Sequence, residues 1–373
     1  MKTNAALLFQ QPGRWEVTEV DLDGPGEGEV LVEMVATGLC HSDEHMANGA
    51  SDFNVFGGIT PWCGGHEGAG VVREVGRGVR NLKVGDSVLT VFIPSCGRCR
   101  WCAEGKQNLC DSGANVMSGA QLDGVTYPMQ YQGKPVGTGI GTFSEWQVYD
   151  ETSLVKIDSS LPLDVVCIVA CAVTTGWGSA VNAANAQPGG TVIVMGCGGV
   201  GMSAVQGASH AGATHVIAVD PVAFKRDTAL TLGATAAFAD MDQATEYAKS
   251  LTHGQGADAT VITVGNVHGE RVEEAFRSIR KAGTVVVTAQ GSLAGDDVVR
   301  LNLTELGMYQ KRIQGVIYGT GSPRRSMQRL IDLYQAGTLK LDEMVTTRYA
   351  LKDINQGYQD MLDGKNIRGV VTF

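Results

Sequence analysis

Four cysteines lie close together at a spacing that suits a metal ion. Intervals of two, two and seven residues separate Cys96, Cys99, Cys102 and Cys110. Four thiolates are the usual ligands of a closed, tetrahedral structural zinc site. The residues between them are largely polar, which argues against four separately buried thiols. The pattern predicts a structural zinc lobe over about residues 94–112, and a closed site of this kind has no open position for chemistry.

A glycine-rich loop predicts a dinucleotide site. The loop reads Gly196-Cys-Gly198-Gly199-Val200-Gly201. It follows the β-branched run TVIVM and precedes a helical stretch. Glycines there allow a tight turn, and backbone N–H groups at the helix N-terminus can then approach a pyrophosphate closely.

The next acidic residue indicates which dinucleotide binds. Asp220 ends the following predicted strand, 19 residues after Gly201. A carboxylate at this position accepts hydrogen bonds from the adenosine ribose and repels a 2′-phosphate, so we predict NAD(H) rather than NADP. Lys225 is either a second contact of the same ribose or a solvated charge on a helix, and the sequence leaves both readings open.

Three further residues carry metal-ligating groups but stand far apart in the chain. They are Cys40, His66 and Cys171. Two thiolates and one imidazole would leave a fourth coordination position open for water or substrate. Their spacing alone does not join them, and each also fits an ordinary buried core residue.

The elements that must position these groups fall into two patterns. Residues 1 to about 150 hold short apolar runs separated by Gly, Pro and acidic turns, typical of a β-rich, barrel-like body. From about residue 190 the predicted strands are TVIVMG, HVIAVD, TAAFAD, ATVITVG, GTVVVTAQ and RIQGVIYG. Helical stretches separate them, including HGERVEEAFRSIRKAG before GTVVVTAQ. This alternation predicts an α/β fold with a parallel, doubly wound sheet.

Composition narrows the function classes. With 373 residues the chain is long enough for two domains, and its net charge of −10 argues against nucleic-acid binding. No apolar run reaches bilayer length, and the short patch at residues 5–9 fits a first strand better than a signal peptide. Nine cysteines, four at metal-like spacing, favour a reducing compartment over disulfides. We therefore expect a cytoplasmic protein with no membrane partner.

The whole chain resembles the zinc-containing medium-chain alcohol dehydrogenases. The resemblance is carried, in order, by GLCHSDEH, GGHEGAGVVREVG, the four-cysteine lobe, GCGGVG and DGKNIRGVV. It implies a GroES-like catalytic domain over residues 1–172 and 321–373 and a Rossmann domain over residues 173–320. It also implies oxidation of an alcohol to an aldehyde or ketone by hydride transfer to NAD.

The resemblance assigns the dispersed ligands and a proton relay. It makes Cys40, His66 and Cys171 the ligands of a catalytic zinc, a set of two cysteines and one histidine for which alcohol dehydrogenase is itself the standard example. One catalytic and one structural zinc ion per subunit are then expected. The family relay runs from Ser42 through the ribose to His45 and solvent. The sequence also allows His45 to be a surface-loop histidine.

Five further residues match family positions, although each also fits a purely structural role. Asp43 matches the residue that orients the zinc-bound histidine, and Glu67 matches a carboxylate near the metal. The expected cofactor contacts are His41 and Arg368 at the pyrophosphate and Thr175 at the nicotinamide.

Within the family, the chain resembles the actinobacterial alcohol dehydrogenases that depend on nitroso-dimethylaniline (NDMA). The segments CRWCAEGKQNLCD, GSPRRSMQRL and LKDINQGYQDMLDGKNIRG carry this likeness. It implies a nicotinoprotein, in which NAD(H) stays bound and an external acceptor, associated with mycofactocin, reoxidises it. It also implies a homo-oligomer.

Two alternatives stay open at this point. The first is a glutathione- or mycothiol-dependent formaldehyde dehydrogenase, whose acidic thiol-adduct substrate calls for basic pocket residues. Residues 111–133, which line the substrate entrance in the family, contain no Lys or Arg, so an uncharged alcohol fits better. The second is a zinc- and NAD-binding regulatory protein without turnover, and the intact set of predicted ligand and relay residues argues against it.

Overall fold

The computed structural model describes residues 1–52, 55, 57–291 and 298–373. The chain divides into two compact units, Met1–Cys171 with Gly321–Phe373 and Ala172–Thr320. The boundary inferred from the sequence lies one residue later than the end of the first segment. Cys171 is therefore the last residue of that segment, and the metal ligands named above all belong to the first unit.

The elements are numbered in chain order. The strands are β1 Lys2–Leu8, β2 Glu16–Leu22, β3 Glu29–Gly38, β4 Trp62–Cys63, β5 Glu67–Val75, β6 Ser87–Thr90, β7 Met129–Tyr131, β8 Lys134–Pro135, β9 Trp146–Asp150, β10 Leu154–Ile157, β11 Thr191–Met195, β12 His215–Val219, β13 Ala236–Phe238, β14 Ala257–Ile262, β15 Ile279–Val287, β16 Arg312–Gly315, β17 Val345–Ala350 and β18 Arg368–Thr372. The helices are α1 His41–Asn48, α2 Arg100–Ala103, α3 Leu163–Val166, α4 Ala172–Gly178, α5 Gly199–His210, α6 Ala223–Thr231, α7 Met241–Leu251, α8 Gly269–Ser278, α9 Leu303–Met308, α10 Pro323–Gln335 and α11 Ile354–Leu362. Short 3-10 turns span Gln107–Leu109, Asp111–Ser118, Glu151–Ser153, Cys167–Ala170 and Leu351–Asp353, and a π-helical turn spans Ser179–Ala183.

The first unit is β-rich. One sheet has the strand order β4-β1-β2-β7-β8, and the other has the order β10-β6-β5-β3-β18-β17, with β9 also paired to β3. Strand β3 shows why such segments form strands, because Val30, Val32 and Met34 recur at every second position and are buried. These three side chains point to one face of the sheet and join a single apolar cluster.

The end of the chain joins the same sheet. Strand β18 pairs antiparallel with β3, placing Val370 opposite Gly38 and Thr372 opposite Ala36. Helix α11 packs nearby, since a side chain on Gly357 would meet the side chain of Leu39. The last strand is thus part of the sheet whose strand β3 leads to the predicted ligand Cys40.

The second unit contains a six-stranded parallel sheet with the order β13-β12-β11-β14-β15-β16. The strand order reverses at β11, from which the chain proceeds first outward to β12 and β13 and then across to β14. Ligands of such sheets bind at the carboxyl ends of the strands where this reversal occurs. The predicted α/β class, with a β-rich domain and a doubly wound parallel sheet, is confirmed.

One boundary inside this sheet differs from the prediction. The sequence favours a helix continuing to Gly283, whereas α8 ends at Ser278 and β15 begins at Ile279. Ile279 is buried and pairs with Ala257, and Arg280 donates a hydrogen bond to Asp258 at 2.7 Å. Pairing with the neighbouring strand β14 outweighs the helix propensity of this segment.

The N-terminal apolar patch forms most of β1, as predicted. Its residues Ala5 to Leu8 are fully buried in an apolar cluster of the first unit. Across the described residues, no single helix has both the length and the apolar character to cross a membrane; the consecutive stretches Leu163–Ala170 and Ala172–Ala183 meet those criteria only when they are taken together.

Candidate metal centre and dinucleotide site

Three ligating side chains that are distant in sequence lie together in the first unit. Ligand atoms of Cys40, His66, Glu67 and Cys171 all lie within 4.8 Å of one another. Strands β3 and β5 explain this meeting, because they pair with Gly38 opposite Glu67. Cys40 follows the end of β3 and His66 precedes the start of β5. The pairing therefore places both residues at the same end of the two strands.

The thiols of this cluster are buried and interact with each other. Cys40 is 6% exposed and Cys171 is 7% exposed. A hydrogen bond with Cys171 and the nearby His66 hold the pKa of Cys40 well below its usual range, despite its burial. The same hydrogen bond, together with burial, raises the pKa of Cys171 well above its usual range. Two facing sulfurs that share one proton are a site where a cation can replace that proton.

Asp43 fixes the orientation of His66. Its Oδ2 lies 3.1 Å from His66 Nδ1, and its Oδ1 accepts the N–H of Gly65 at 2.8 Å. Burial lowers the pKa of His66, but the charges of Asp43 and Cys40 outweigh it and raise that pKa well above its usual range. Because Nδ1 faces Asp43, the other ring nitrogen, Nε2, is left for a metal.

A buried ion pair stands beside the ligands. Arg368 donates a hydrogen bond to the carboxylate of Glu67, and their side chains are only 4% and 0% exposed. Burial raises the pKa of Glu67 to about 7, although Arg368 acts in the opposite direction. Gly38 is required here, because a side chain on it would overlap Glu67 and lie 3.1 Å from Arg368. The predicted pyrophosphate contact Arg368 thus has Glu67 as its partner.

Helix α1 carries the predicted relay residues directly after Cys40. The Oγ of Ser42 lies 3.6 Å from the Sγ of Cys40. His45 is 6% exposed, and its ring centroid lies 6.2 Å from that of His41. His45 is therefore a buried helical residue, so the alternative of a surface loop is wrong.

The four-cysteine lobe has the geometry of a closed metal site. Its sulfur atoms all lie within 4.8 Å of one another. Cys96 donates its N–H to Cys110 Sγ at 3.2 Å, and Cys99 donates its N–H to Cys96 Sγ at 3.3 Å. Backbone N–H groups of Arg98 and Cys99 lower the pKa of Cys96 to about 6. Thiolates stabilised in this way are suited to a tetrahedral zinc ion.

The glycine-rich loop of the second unit leads from β11 into α5. Gly198 precedes the first residue of this 12-residue helix. A side chain on Gly201 would overlap the carbonyl oxygen of Gly196, whereas one on Gly198 would meet nothing within 4 Å. The loop is therefore tightly closed on its protein side and open at Gly198, which fits the approach of a pyrophosphate to the backbone.

Asp220 connects the loop to the end of β12. It is buried, its Oδ2 accepts the N–H of Cys197 at 2.8 Å, and its Oδ1 accepts the N–H of Val222 at 2.9 Å. Each carboxylate oxygen has a second lone pair that a ribose hydroxyl can use. Lys225 is half-buried on α6, and its contact with the ribose stays a prediction. Its neighbour Arg226, which the sequence reasoning missed, donates to the carbonyl of Asp220 at 2.8 Å.

Thr175 lies on α4 in the second unit. It is buried, and its carbonyl accepts the hydroxyl of Ser179 at 2.7 Å. Helix α4 packs closely on the start of α5, because a side chain on Gly176 would overlap the carbonyl of Val200. Thr175 is thereby held near the glycine-rich loop, and its contact with a nicotinamide stays a prediction.

One residue of the metal centre escaped the sequence reasoning. The Oγ1 of Thr90, on β6, donates to the carbonyl of His66 at 3.1 Å and accepts the N–H of Gly68 at 2.9 Å. It therefore fixes the backbone on both sides of Glu67. No spacing in the sequence relates Thr90 to His66, so only the pairing of β5 with β6 reveals it.

Comparison with known proteins identifies the family of this chain. Residues 26–159 match the alcohol dehydrogenase GroES-like domain, and residues 199–336 match the zinc-binding dehydrogenase family. The NDMA-dependent alcohol dehydrogenase of Amycolatopsis methanolica is 48% identical, over 100% of this chain and 99% of that protein. The chain belongs to the zinc-binding medium-chain alcohol dehydrogenases.

Other members of the family extend the comparison. Alcohol dehydrogenase B of Mycobacterium tuberculosis is 46% identical over 100% of this chain and 99% of that protein. The S-(hydroxymethyl)glutathione dehydrogenase of Synechocystis is 35% identical over the full length of both. This alcohol dehydrogenase is accordingly an oxidoreductase, and the non-catalytic alternative loses its support.

Solved structures agree on the fold. Benzyl alcohol dehydrogenase from Acinetobacter calcoaceticus has a TM-score of 0.91 and 26% identity, covering 100% of this chain and 99% of that one. A Sinorhizobium meliloti protein solved with NADP has a TM-score of 0.79 and 25% identity, with full coverage of both chains.

The substitution Asp43→Asn tests the role of Asp43 in this alcohol dehydrogenase. We expect Asp43→Asn to weaken zinc binding at the Cys40 cluster about 10- to 100-fold, because His66 loses its charged partner. Competition with a chelator, followed by metal analysis, measures this affinity. The four-cysteine lobe is the internal control and should keep its zinc. Unchanged zinc affinity at the Cys40 cluster would show that Asp43 does not support the ligand.

A matched pair of glycine variants tests the dinucleotide loop. Gly201→Ala should lower the free energy of unfolding by about 1–3 kcal/mol, because its methyl group has no room. Gly198→Ala should keep the stability of the parent and weaken dinucleotide binding, because its methyl group occupies the open side of the loop. Thermal unfolding and binding titrations separate the two effects. If Gly198→Ala bound the dinucleotide as tightly as the parent does, the pyrophosphate would not bind at the backbone of Gly198.

Proposed function

We propose that this alcohol dehydrogenase oxidises an uncharged alcohol to an aldehyde or ketone at the cluster of Cys40, His66 and Cys171, with NAD as the hydride acceptor. The observation that carries the proposal is the convergence of these three ligands in the first unit, where both cysteines are buried. When bound, zinc supplies a Lewis acid that lowers the pKa of an alcohol, and NAD supplies the acceptor for hydride. A second zinc in the four-cysteine lobe is proposed to be structural.

The charges of the cluster support a divalent cation. Glu67 is balanced by Arg368, and Asp43 faces Nδ1 of His66. A histidine that ligates a metal through Nε2 is neutral, so neither contact offsets the charge of the two buried thiols once they are ionised. Buried charges without a partner are costly, so a dication is the partner that offsets the charge of the two thiolates.

Helix α1 supplies a route for the proton of the alcohol. Ser42 and His45 are three residues apart on the helix and so share one face, as do His41 and His45, which are four apart. We propose that the hydroxyl of Ser42, beside Cys40, accepts the substrate proton. His45 would then take up that proton and release it toward solvent, which is work suited to an imidazole.

The buried carboxylate of Asp220 favours NAD over NADP. The Sinorhizobium meliloti protein was solved with NADP, but here a carboxylate stands at the end of β12, where a 2′-phosphate would be repelled. The N–H groups at the start of α5 would receive the pyrophosphate.

We further propose that NAD(H) stays bound through turnover and is reoxidised by an external acceptor, NDMA in the test tube and mycofactocin in the cell. The 48% identity to the NDMA-dependent enzyme, over the full chain, supports this proposal. The competing function is oxidation of a thiol adduct of formaldehyde. The Synechocystis relative, at 35% identity, supports this alternative. The lack of Lys and Arg over residues 111–133 favours the uncharged alcohol.

Retention of the cofactor tests the proposal. Protein freed of small molecules by gel filtration should release about one equivalent of NAD(H) only on denaturation. With a primary alcohol it should then turn over when NDMA is added, without added NAD. Loss of the cofactor on the column, with turnover sustained by free NAD, would refute the bound-cofactor proposal.

The same preparation distinguishes the competing function. S-(hydroxymethyl)glutathione with free NAD should give little turnover compared with the alcohol and NDMA. The reverse preference would establish the formaldehyde dehydrogenase instead. A homo-oligomeric state and a cytoplasmic location stay predictions.

A further inference from the structure

An open cavity of about 390 Å³ lies in the first unit. Three segments line it: the turn at Asn81 and Leu82, the stretch from Glu151 to Lys156 around β10, and the first turns of α10 with Arg324, Arg325 and Gln328. None of the lining residues belongs to the metal centre or to the glycine-rich loop. Its volume falls in the range of small-molecule sites, roughly 300–1,000 Å³.

Arg324 lines this cavity, and the carboxylates of Glu151 and Asp150 act on its guanidinium without forming an ion pair with it. Its NH2 group donates to the carbonyl oxygens of Glu151 at 3.0 Å and Leu154 at 2.6 Å. Its Nε is buried and has no hydrogen-bond partner within the described part of the chain. Carbonyl oxygens carry only partial charge, so this half-buried cation has no charged group among its hydrogen-bond acceptors in the described part of the chain. Such a group gains stability from an anion that supplies both charge and a hydrogen-bond acceptor.

The other charged groups of the cavity are already engaged. Glu151 accepts the N–H groups of Arg80 at 3.1 Å and Asn81 at 3.2 Å, so the adjacent turn holds its carboxylate. Lys156 forms an ion pair with Asp86 at 2.8 Å. Among the lining residues, two arginines of α10 stand beside the one carboxylate of Glu151, and Asp150 acts on Arg324 as a second nearby carboxylate.

The lining is rich in cationic side chains for a chain with a net charge of −10, because three of its nine residues are Lys or Arg. The two arginines come from the segment GSPRRSMQRL, to which the oxidation chemistry assigns no role. Apolar side chains of Leu82, Leu154 and Val155 line the same cavity, so it offers an organic group a place beside the cations.

We propose that this cavity binds a small organic anion, whose phosphate or carboxylate group is held by Arg324 and Arg325 and whose carbon part lies against the apolar lining. The exposed guanidinium of Arg325 can donate two parallel hydrogen bonds to either kind of oxyanion. Arg324, whose NH2 group is engaged and whose Nε is buried, can donate through its remaining NH1 group. The site belongs to the first unit alone, and none of its lining residues is a proposed metal ligand or dinucleotide contact.

Calorimetric titration of the zinc-loaded protein tests the proposal. The protein is first saturated with NAD(H), so that phosphate probes do not report the glycine-rich loop. Glycerol phosphate, succinate and inorganic phosphate are then titrated at fixed ionic strength. We expect saturable binding of one equivalent of glycerol phosphate or succinate, and the preferred probe identifies the oxyanion. Absence of saturable binding by both, or binding of inorganic phosphate alone, would overturn the proposal.

Three variants locate the binding. Arg325→Gln removes an exposed charge, and Arg324→Lys keeps a charge but loses the planar donor group. Each variant should lower the affinity for the probe at least about tenfold. Arg14→Gln removes another exposed arginine, which does not line the cavity, and should bind as the parent does. Parent-like affinity in Arg325→Gln, or an equal loss in all three variants, would place the binding elsewhere.

Discussion

The antiparallel pairing of β3 with β5 is the interaction on which the metal centre depends. It sets Gly38 opposite Glu67, and thereby brings Cys40, just beyond one strand, to His66, just before the other. Strand β18 pairs with the other edge of β3 and delivers Arg368 to the same place. Because a single-residue slip of register would turn each side chain to the opposite face of the sheet, the centre exists only in this register.

The second constraint is electrostatic: the buried ionisable groups of the centre need partners. The centre gathers two thiols, one imidazole, two carboxylates and one guanidinium in a region with little access to water. Such groups are tolerated only when they are paired, and the ion pair Arg368–Glu67 and the contact Asp43–His66 provide a partner for each of them except the sulfurs. The fold therefore prepares a site for a divalent cation, and the proposed alcohol chemistry follows from the cation that such sulfurs prefer.

Local and non-local features differed in how well the sequence predicted them. The four-cysteine lobe and the glycine-rich loop are contained in short segments, so their spacing reports their geometry directly. The set of Cys40, His66 and Cys171 could be proposed only by resemblance to a family, because strand pairing, not spacing, joins these residues. The contact of Glu67 with Arg368 spans 301 residues, and neither residue carries a local signal for it. The boundary between α8 and β15 was misplaced for the same reason, since β14 determines it.

Cobalt substitution tests the central claim most directly, because Co²⁺ bound by thiolates has visible absorption bands that respond to its ligands. With both zinc ions replaced, addition of alcohol should shift the bands of one cobalt ion and leave the other unchanged. Cys171→Ser should abolish or alter the bands that respond to alcohol, and Cys99→Ser should affect only the bands that alcohol leaves unchanged. The assignment of the Cys40, His66 and Cys171 cluster as the catalytic metal centre would be contradicted if alcohol shifted none of the bands. It would also be contradicted if the response to alcohol disappeared in Cys99→Ser and survived in Cys171→Ser.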